Sequence, residues 1–168
     1  MLEVYGGVAA PVASFGDGTG PGQGATAGPS LSVLFALPGA GKRGLYAGFS
    51  QHRFGCEDAG CAADGRLVAT GFDVGLRFAL VRGRKFVPWL RLGAITTRVE
   101  TDDLGAANAG VSDLGFGGEI GAGLYVGAAS TLAINPGIRY AMVRTGLPGG
   151  STLDMRYLMA QIALALAF

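Results

Sequence analysis

The sequence predicts an all-β chain in which eight antiparallel strands close into an up-and-down transmembrane β-barrel. Three observations predict this fold. Apolar residues recur at every second position over eight separate segments, which is the side-chain period of a β-strand. The connections between the segments are alternately long and short, as in a barrel whose two termini lie at one end. Within the segments, the charged side chains fall on the face opposite the bulky apolar residues: Glu3, Asp73, Arg77, Arg91, Glu119 and Arg139.

Composition favours a single membrane-compatible domain spanning residues 1–168. Charged residues make up 15% of the chain and hydrophobic residues 49%, with a mean hydropathy of +0.40. Glycine contributes 31 residues, which weakens helices but suits strands that bend and pack closely. The longest uncharged stretch, Ile120 to Ile138, is interrupted by glycines and Pro136, which argues against a membrane-spanning helix. A net charge of +1 does not suggest a nucleic-acid partner.

The segments can be placed in order along the chain, and the fourth has the clearest alternation. In it Phe72, Val74, Leu76 and Phe78 should face lipid, while Asp73 and Arg77 face inward. In the fifth segment Trp89 falls on the inward face, which leaves the register of that segment open near its start. Long loops are expected at Phe15–Thr26, Gly55–Arg66, Glu100–Leu114 and Arg144–Thr152. The eight predicted segments are Leu2–Ala13, Ala27–Leu37, Gly44–Phe54, Leu67–Val81, Phe86–Val99, Gly115–Val126, Leu132–Met142 and Leu153–Phe168.

The bulky apolar face is expected to point outward. An eight-stranded barrel has an interior only just wide enough for its side chains, so Phe, Leu, Ile and Val from every strand would overfill it. Facing outward, they form a lipid-facing band. The six charged residues named above then lie inside the barrel, where buried charges must be paired. Three acids against three bases allow such an interior ionic cluster.

The last segment, Leu153 to Phe168, alternates bulky and small residues and ends on phenylalanine. With the glycine-rich strands such as Gly117–Gly123, it resembles the small eight-stranded bacterial outer-membrane barrels of the OmpA/OmpX type. The resemblance implies an outer-membrane protein without enzymatic activity or cofactor, with a structural or interaction role, exposed extracellular loops and a packed interior rather than an open pore. It implies contact with outer-membrane lipids and lipopolysaccharide, an extracellular ligand of the loops, and recognition of Phe168 as a C-terminal signal by the barrel-assembly machinery. No leader follows Met1, so we expect one to have been removed.

Two other function classes remain open. Some eight-stranded outer-membrane enzymes deacylate lipid A with a His/Ser/Glu arrangement, and Ser50 and His52 share a face here. That family orders the pair His-x-Ser, whereas this chain has Ser-x-His. A soluble lipocalin-like carrier would have the same strand number with the apolar face inward.

Two further motifs have structural interpretations. Cys56 and Cys61 lie in a predicted outward loop and should form a disulfide in an oxidising compartment; no second Cys or His pair completes a metal site with His52. Gly39–Gly44 matches G-x-G-x-x-G, but a strand rather than a helix follows it, so a hairpin turn is expected instead of a nucleotide-binding loop.

Overall fold

The computed structural model describes residues 1–13, 15, 24–38, 43–56, 65–81, 85–102, 110–127, 131–147, 150 and 152–167. Eight long strands and two short ones account for nearly all of them. Within these ranges no helix is long and apolar enough to cross a membrane. The strands are β1 (Leu2–Pro11), β2 (Ala25–Thr26), β3 (Gly28–Pro38), β4 (Arg43–Cys56), β5 (Arg66–Ala79), β6 (Phe86–Asp102), β7 (Gly110–Val111), β8 (Gly115–Val126), β9 (Leu132–Gly146) and β10 (Thr152–Leu166).

The eight long strands form a closed antiparallel ring. Its order is β1-β3-β4-β5-β6-β8-β9-β10, and β10 pairs again with β1, so that Leu2 opposes Leu166. The two short strands lie at the end of the barrel that carries the long connections, which we call the loop end. There β2 pairs with the end of β4, and β7 pairs with the end of β6. Closure leaves none of the long strands with an unpaired edge, which is the condition for a sheet to exist in lipid.

The outer surface of the ring is apolar, as the sequence predicts. Phe72 is 67% exposed and Val74 56%, whereas their neighbour Asp73 is 2% exposed. Leu76 is likewise exposed and Arg77 buried. Trp89 is buried inside the barrel, so the alternation of β6 holds from its first residues and the register left open there is settled. A soluble protein does not expose an apolar belt of this extent, which excludes the carrier with an inward apolar face.

The strands on the loop side differ from the predicted boundaries. β6 continues to Asp102 and β9 to Gly146, into segments predicted as loops, while β1 ends at Pro11 rather than Ala13. The predicted loop up to Thr26 ends in the short strand β2, and Phe15 within it is fully buried against Phe54, with ring centroids 5.0 Å apart.

The physical reason is a change in which face of the strand is apolar. Near the loop end, Val99, Val143 and Met155 point inward, whereas Arg98 and Arg144 point outward. Strand pairing therefore continues beyond the lipid belt with the apolar and polar faces exchanged. A prediction that follows one apolar face ends the strand at this exchange.

The interior is layered along the barrel axis. Toward the loop end lies an apolar cluster that includes Phe54, Leu67, Val99, Leu153 and Tyr157. Toward the turn end lie two clusters built around Tyr5, Tyr46, Trp89 and Tyr125. The buried charged residues lie between the apolar cluster and these aromatic side chains, or among the aromatic side chains.

Candidate functional site

The most distinctive group of side chains is the ionic network inside the barrel. All six charged residues predicted for the interior lie there, and none is more than 6% exposed. The three acids and three bases balance in charge. The structure divides them into two groups, each joining strands from different sides of the ring.

The first group centres on Glu3 of β1 and Arg77 of β5. Arg77 donates from Nη1 to Glu3 Oε1 at 2.6 Å and from Nη2 to Oε2 at 2.8 Å, a bidentate pair of the strong, geometrically specific kind. Tyr5 donates its hydroxyl proton to Glu3 Oε2 at 2.8 Å. Tyr125 also donates to Glu3 and accepts from Arg77. Every oxygen of Glu3 thus has two donors, which compensates for its removal from water.

The second group centres on Glu119 of β8. Arg139 Nε lies 2.5 Å from Glu119 Oε2, Arg91 Nε lies 3.5 Å from Oε1, and Tyr46 donates to Oε1 at 2.5 Å. Arg139 also reaches Asp73 Oδ2 across the barrel at 3.1 Å through Nη2. Arg139 therefore bridges two carboxylates. Asp73 and Arg77, which share β5, pair with different strands rather than with each other.

Aromatic rings fill the space between the two groups. Arg77 and Arg91 both lie over the ring of Trp89, at 5.0 and 5.8 Å from its centroid, and both lie within 6 Å of Tyr46. Arg91 Nη1 and Nη2 have no hydrogen-bond partner within the described structure, so ring faces provide much of its favourable environment. Trp89 Nε1 donates to Asn135 at 2.7 Å, and Asn135 donates to Tyr5 at 2.6 Å.

These tyrosines are the interior residues that sequence reasoning did not assign. Tyr5, Tyr46, Tyr125 and Tyr157 are four of the chain's five tyrosines, and all are buried. The sequence does indicate their position, because each tyrosine lies on the strand face that carries the charged residues.

Two glycines make room for Tyr46. A Cβ added at Gly93 would lie 2.1 Å from the Tyr46 hydroxyl, and one added at Gly75 would lie 2.6 Å from it. The tyrosine crosses these two strands to reach Glu119. The inward glycines thus serve the interior by giving its large side chains space.

Ser50 and His52 both face inward, but they are not hydrogen-bonded to each other. Ser50 donates to Asp73 at 3.1 Å, while His52 Nδ1 lies 2.8 Å from the Ser30 hydroxyl. His52 is 2% exposed and packs against Tyr157, with ring centroids 5.2 Å apart. His52 therefore lies inside the barrel, in contact with the apolar cluster at its loop end through Tyr157. Ser30 is 6% exposed, so both members of this hydrogen-bonded pair are buried.

The remaining sequence candidates fall at the margins of the described structure. Cys56 ends β4 without a described side chain, and Cys61 and Phe168 lie outside the described residues, so the disulfide and the C-terminal signal stay predictions. Residues 39–42 of the glycine motif are also outside, between β3 and β4. No group of three or more His, Cys, Asp or Glu suited to a metal occurs among the described residues.

Comparison with known proteins identifies the fold. No protein-family model matches the chain, and no curated protein matches it in sequence. Among solved structures, the chain is similar to Neisserial surface protein A, with a TM-score of 0.62, 13% identity, and coverage of 98% of this chain and 97% of that one. It is also similar to Ail, the attachment invasion locus protein of Yersinia pestis, solved with the heparin analogue sucrose octasulfate: TM-score 0.54, 14% identity, 97% and 96% coverage.

A second Ail structure, of the outer membrane protein in a phospholipid bilayer nanodisc, matches with a TM-score of 0.38 and 12% identity over 95% of this chain and 97% of that one. At that score it adds no support of its own. The two stronger matches extend over essentially the whole of each chain. The fold of this protein is accordingly that of the small eight-stranded outer-membrane β-barrels, as its sequence predicts.

Proposed function

We propose that this chain is a non-enzymatic protein of the bacterial outer membrane, in which a rigid barrel holds long loops on the outer side of the membrane. One observation carries the proposal: the barrel is apolar outside and holds a buried, charge-balanced network inside. Such an arrangement is stable only when lipid surrounds it. Its role would be structural or one of interaction, through the loops and the lipid-facing surface.

The interior supports a packed barrel rather than an open pore. Charged side chains that line a water-filled channel are in contact with water, whereas Arg91 and Arg139 are each 1% exposed and Glu119 is 3% exposed. Eight strands enclose only enough space for side chains, and here aromatic rings and ion pairs occupy it.

The proposed partners follow from the location. They are outer-membrane lipids including lipopolysaccharide, the barrel-assembly machinery through β10 and Phe168, and an extracellular ligand of the loops. Ail, which shares the fold, was solved with a polyanionic heparin analogue. That complex supports the idea that a barrel of this fold can bind a sulfated ligand.

Refolding the purified chain into lipid vesicles tests the proposal. The protein should float with the vesicles after alkaline washing, and its unheated electrophoretic band should shift on boiling because the barrel resists detergent. A chain that stays monodisperse without detergent and does not enter vesicles would contradict a membrane barrel.

The second candidate function is a lipid-modifying enzyme, and the Ser30–His52 hydrogen bond is the one observation in its favour. Mass spectrometry of lipid A from cells that express the protein or its His52→Ala variant decides between the two. We expect the same acylation pattern in both. Loss of one acyl chain that depends on His52 would establish the enzyme.

A further inference from the structure

Five arginines surround the outside of the barrel at its loop end. On five different strands, the first charged outward-facing residue beyond the apolar belt toward the loops is an arginine, and each of these is exposed. No lysine occupies such a position. The residues are Arg53 on β4, Arg66 on β5, Arg98 on β6, Arg144 on β9 and Arg156 on β10.

These arginines form two groups that differ in their counter-charges. Arg144 and Arg156 share the carboxylate of Asp154, with N–O distances of 3.1 and 3.5 Å. Arg53, Arg66 and Arg98 lie on the three adjacent strands β4, β5 and β6. None of these three forms an ion pair with a carboxylate among the side chains that the structure describes. On β6, Glu100 opposes Val68 and Asp102 opposes Arg66 in the strand register. Three arginines against two acids leave an excess of one positive charge.

An apolar groove of about 440 Å³ lies below this patch on the outer face of β3, β4 and β5. Phe49 and Phe72 border it as an edge-to-face pair, with centroids 5.6 Å apart. Phe49 and Arg53 both face outward on β4, four residues or about 13 Å apart along the strand. The side chains that line the groove are Val33, Phe35, Ala47, Phe49, Phe72 and Val74.

The position of the groove below the arginines, together with their charge, indicates what could bind here. A groove that opens on lipid accepts an acyl chain, and arginines at the end of that groove match phosphate oxygens through their forked N–H groups. The three guanidinium groups are spread over three adjacent strands, a width of about 10 Å at ordinary strand spacing. A lipid that carries more than one phosphate spans this width better than a single phosphate does.

We propose that Arg53, Arg66 and Arg98 bind the phosphate groups of a multiply phosphorylated lipid in the loop-side leaflet, with an acyl chain in the groove below. This proposal rests on the membrane orientation given under the proposed function. Arg156 serves as the matched control, because it is an exposed arginine at the same end of the barrel that already has a carboxylate partner.

Native mass spectrometry of the folded protein in detergent, titrated with purified bisphosphorylated lipid A, measures the site directly. The triple variant Arg53→Ala, Arg66→Ala, Arg98→Ala should weaken retention of this lipid by about 100-fold, from roughly fivefold for each surface arginine. Arg156→Ala should weaken it only slightly. Ala47→Trp, which fills the groove and leaves the arginines in place, should also reduce retention.

The outcomes separate this site from the membrane barrel itself. The heat-dependent band shift shows whether each variant is folded, and all substituted positions are exposed. Equal retention by the triple variant and Arg156→Ala would overturn the lipid site, as would equal retention of a zwitterionic phospholipid. Competition by inorganic phosphate at the lipid's own concentration would also overturn it, in favour of a free-anion site. Failure of the wild-type chain to enter vesicles would instead contradict the proposed function.

Discussion

At the scale of single residues, the interior depends on carboxylates whose partners come from distant strands. Glu119 illustrates this. Tyr46 on β4 donates a hydrogen bond to it, and Arg91 on β6 and Arg139 on β9 form ion pairs with it. Taking a carboxylate out of water is costly, and the two guanidinium groups and the Tyr46 hydroxyl offset that cost. The network is therefore stable as a whole and sensitive to the loss of any one member.

Removing Glu119 should destabilise the barrel strongly. Glu119→Ala leaves Arg91 and Arg139 without their shared counter-charge, which costs about 3–5 kcal/mol for a buried pair. Glu100→Ala, at an exposed position on β6, should change the unfolding free energy by less than about 0.5 kcal/mol. Urea unfolding in detergent measures both, and Glu119→Ala combined with Arg139→Ala should recover part of the loss. Equal small effects would mean that Glu119 is hydrated.

Gly93 provides a test of the space that Tyr46 occupies. In Gly93→Ala the new methyl group would overlap the Tyr46 hydroxyl, so the hydrogen bond to Glu119 should break at a cost of about 1–3 kcal/mol. Adding Tyr46→Phe to this variant removes the clashing oxygen, so the combined loss should be less than the sum of the two single losses. Gly6→Ala is the control, since nothing lies within 4 Å of a Cβ at that outward position. An additive result in the unfolding free energies would contradict the close packing of Tyr46 over Gly93.

At the scale of the strand, the informative feature is the exchange of faces at the loop-side end of the lipid belt. On β10, Leu158 and Ile162 face outward within the belt, whereas Leu153 and Met155 face inward beyond it. The exchange does not interrupt strand pairing, because the backbone hydrogen bonds between β9 and β10 continue past it. The surrounding solvent alone decides which face is apolar.

The cost of a charge on the outer face should therefore depend on its position along one strand. Leu76→Arg places a guanidinium in the middle of the belt on β5 and should cost about 2–4 kcal/mol in a lipid bilayer. Val68→Arg, also outward on β5 but opposite Arg53 and Glu100, should cost about 0–1 kcal/mol. Unfolding from vesicles of fixed composition gives both values. Equal costs at the two positions would place Val68 within the belt.

The predicted disulfide joins Cys56, the last residue of β4, to Cys61. Protein purified from an oxidising compartment should react with a maleimide only after reduction, because both thiols are consumed in the bond. Closing a loop this short contributes about 2 kcal/mol at most, so Cys61→Ser should leave the barrel folded. Labelling of both thiols before reduction would show that the bond is absent.

At the scale of the whole molecule, the sequence predicts the architecture better than the interior contacts. Alternation, loop lengths and the face that carries charge are local patterns, so strand number, orientation and the inward position of residues such as Asp73 follow from them. Ion pairing depends on how far the strands are staggered around the ring. That stagger brings Arg77 to Glu3 and Arg139 to Asp73 across the barrel, and no local pattern encodes it. The outer arginines are not predicted from the sequence, because they lie beyond the point at which the apolar residues change from the outer to the inner face of each strand.

The layered interior leads to a prediction about permeability. An ion that crosses the barrel would have to pass the apolar cluster around Phe54 and Leu153, then the Glu119–Arg139 pair, then the rings of Trp89 and Tyr125. Each layer consists of side chains that are almost fully buried, and eight strands leave no further width. Protein inserted into planar bilayers should therefore show no steady conductance above the protein-free membrane. Phe54→Ala removes a large side chain from the apolar cluster only, so this variant should also show no conductance. Discrete conductance steps in the wild-type protein, lost when it is unfolded, would show that a water-filled path runs through the network and would contradict a packed interior.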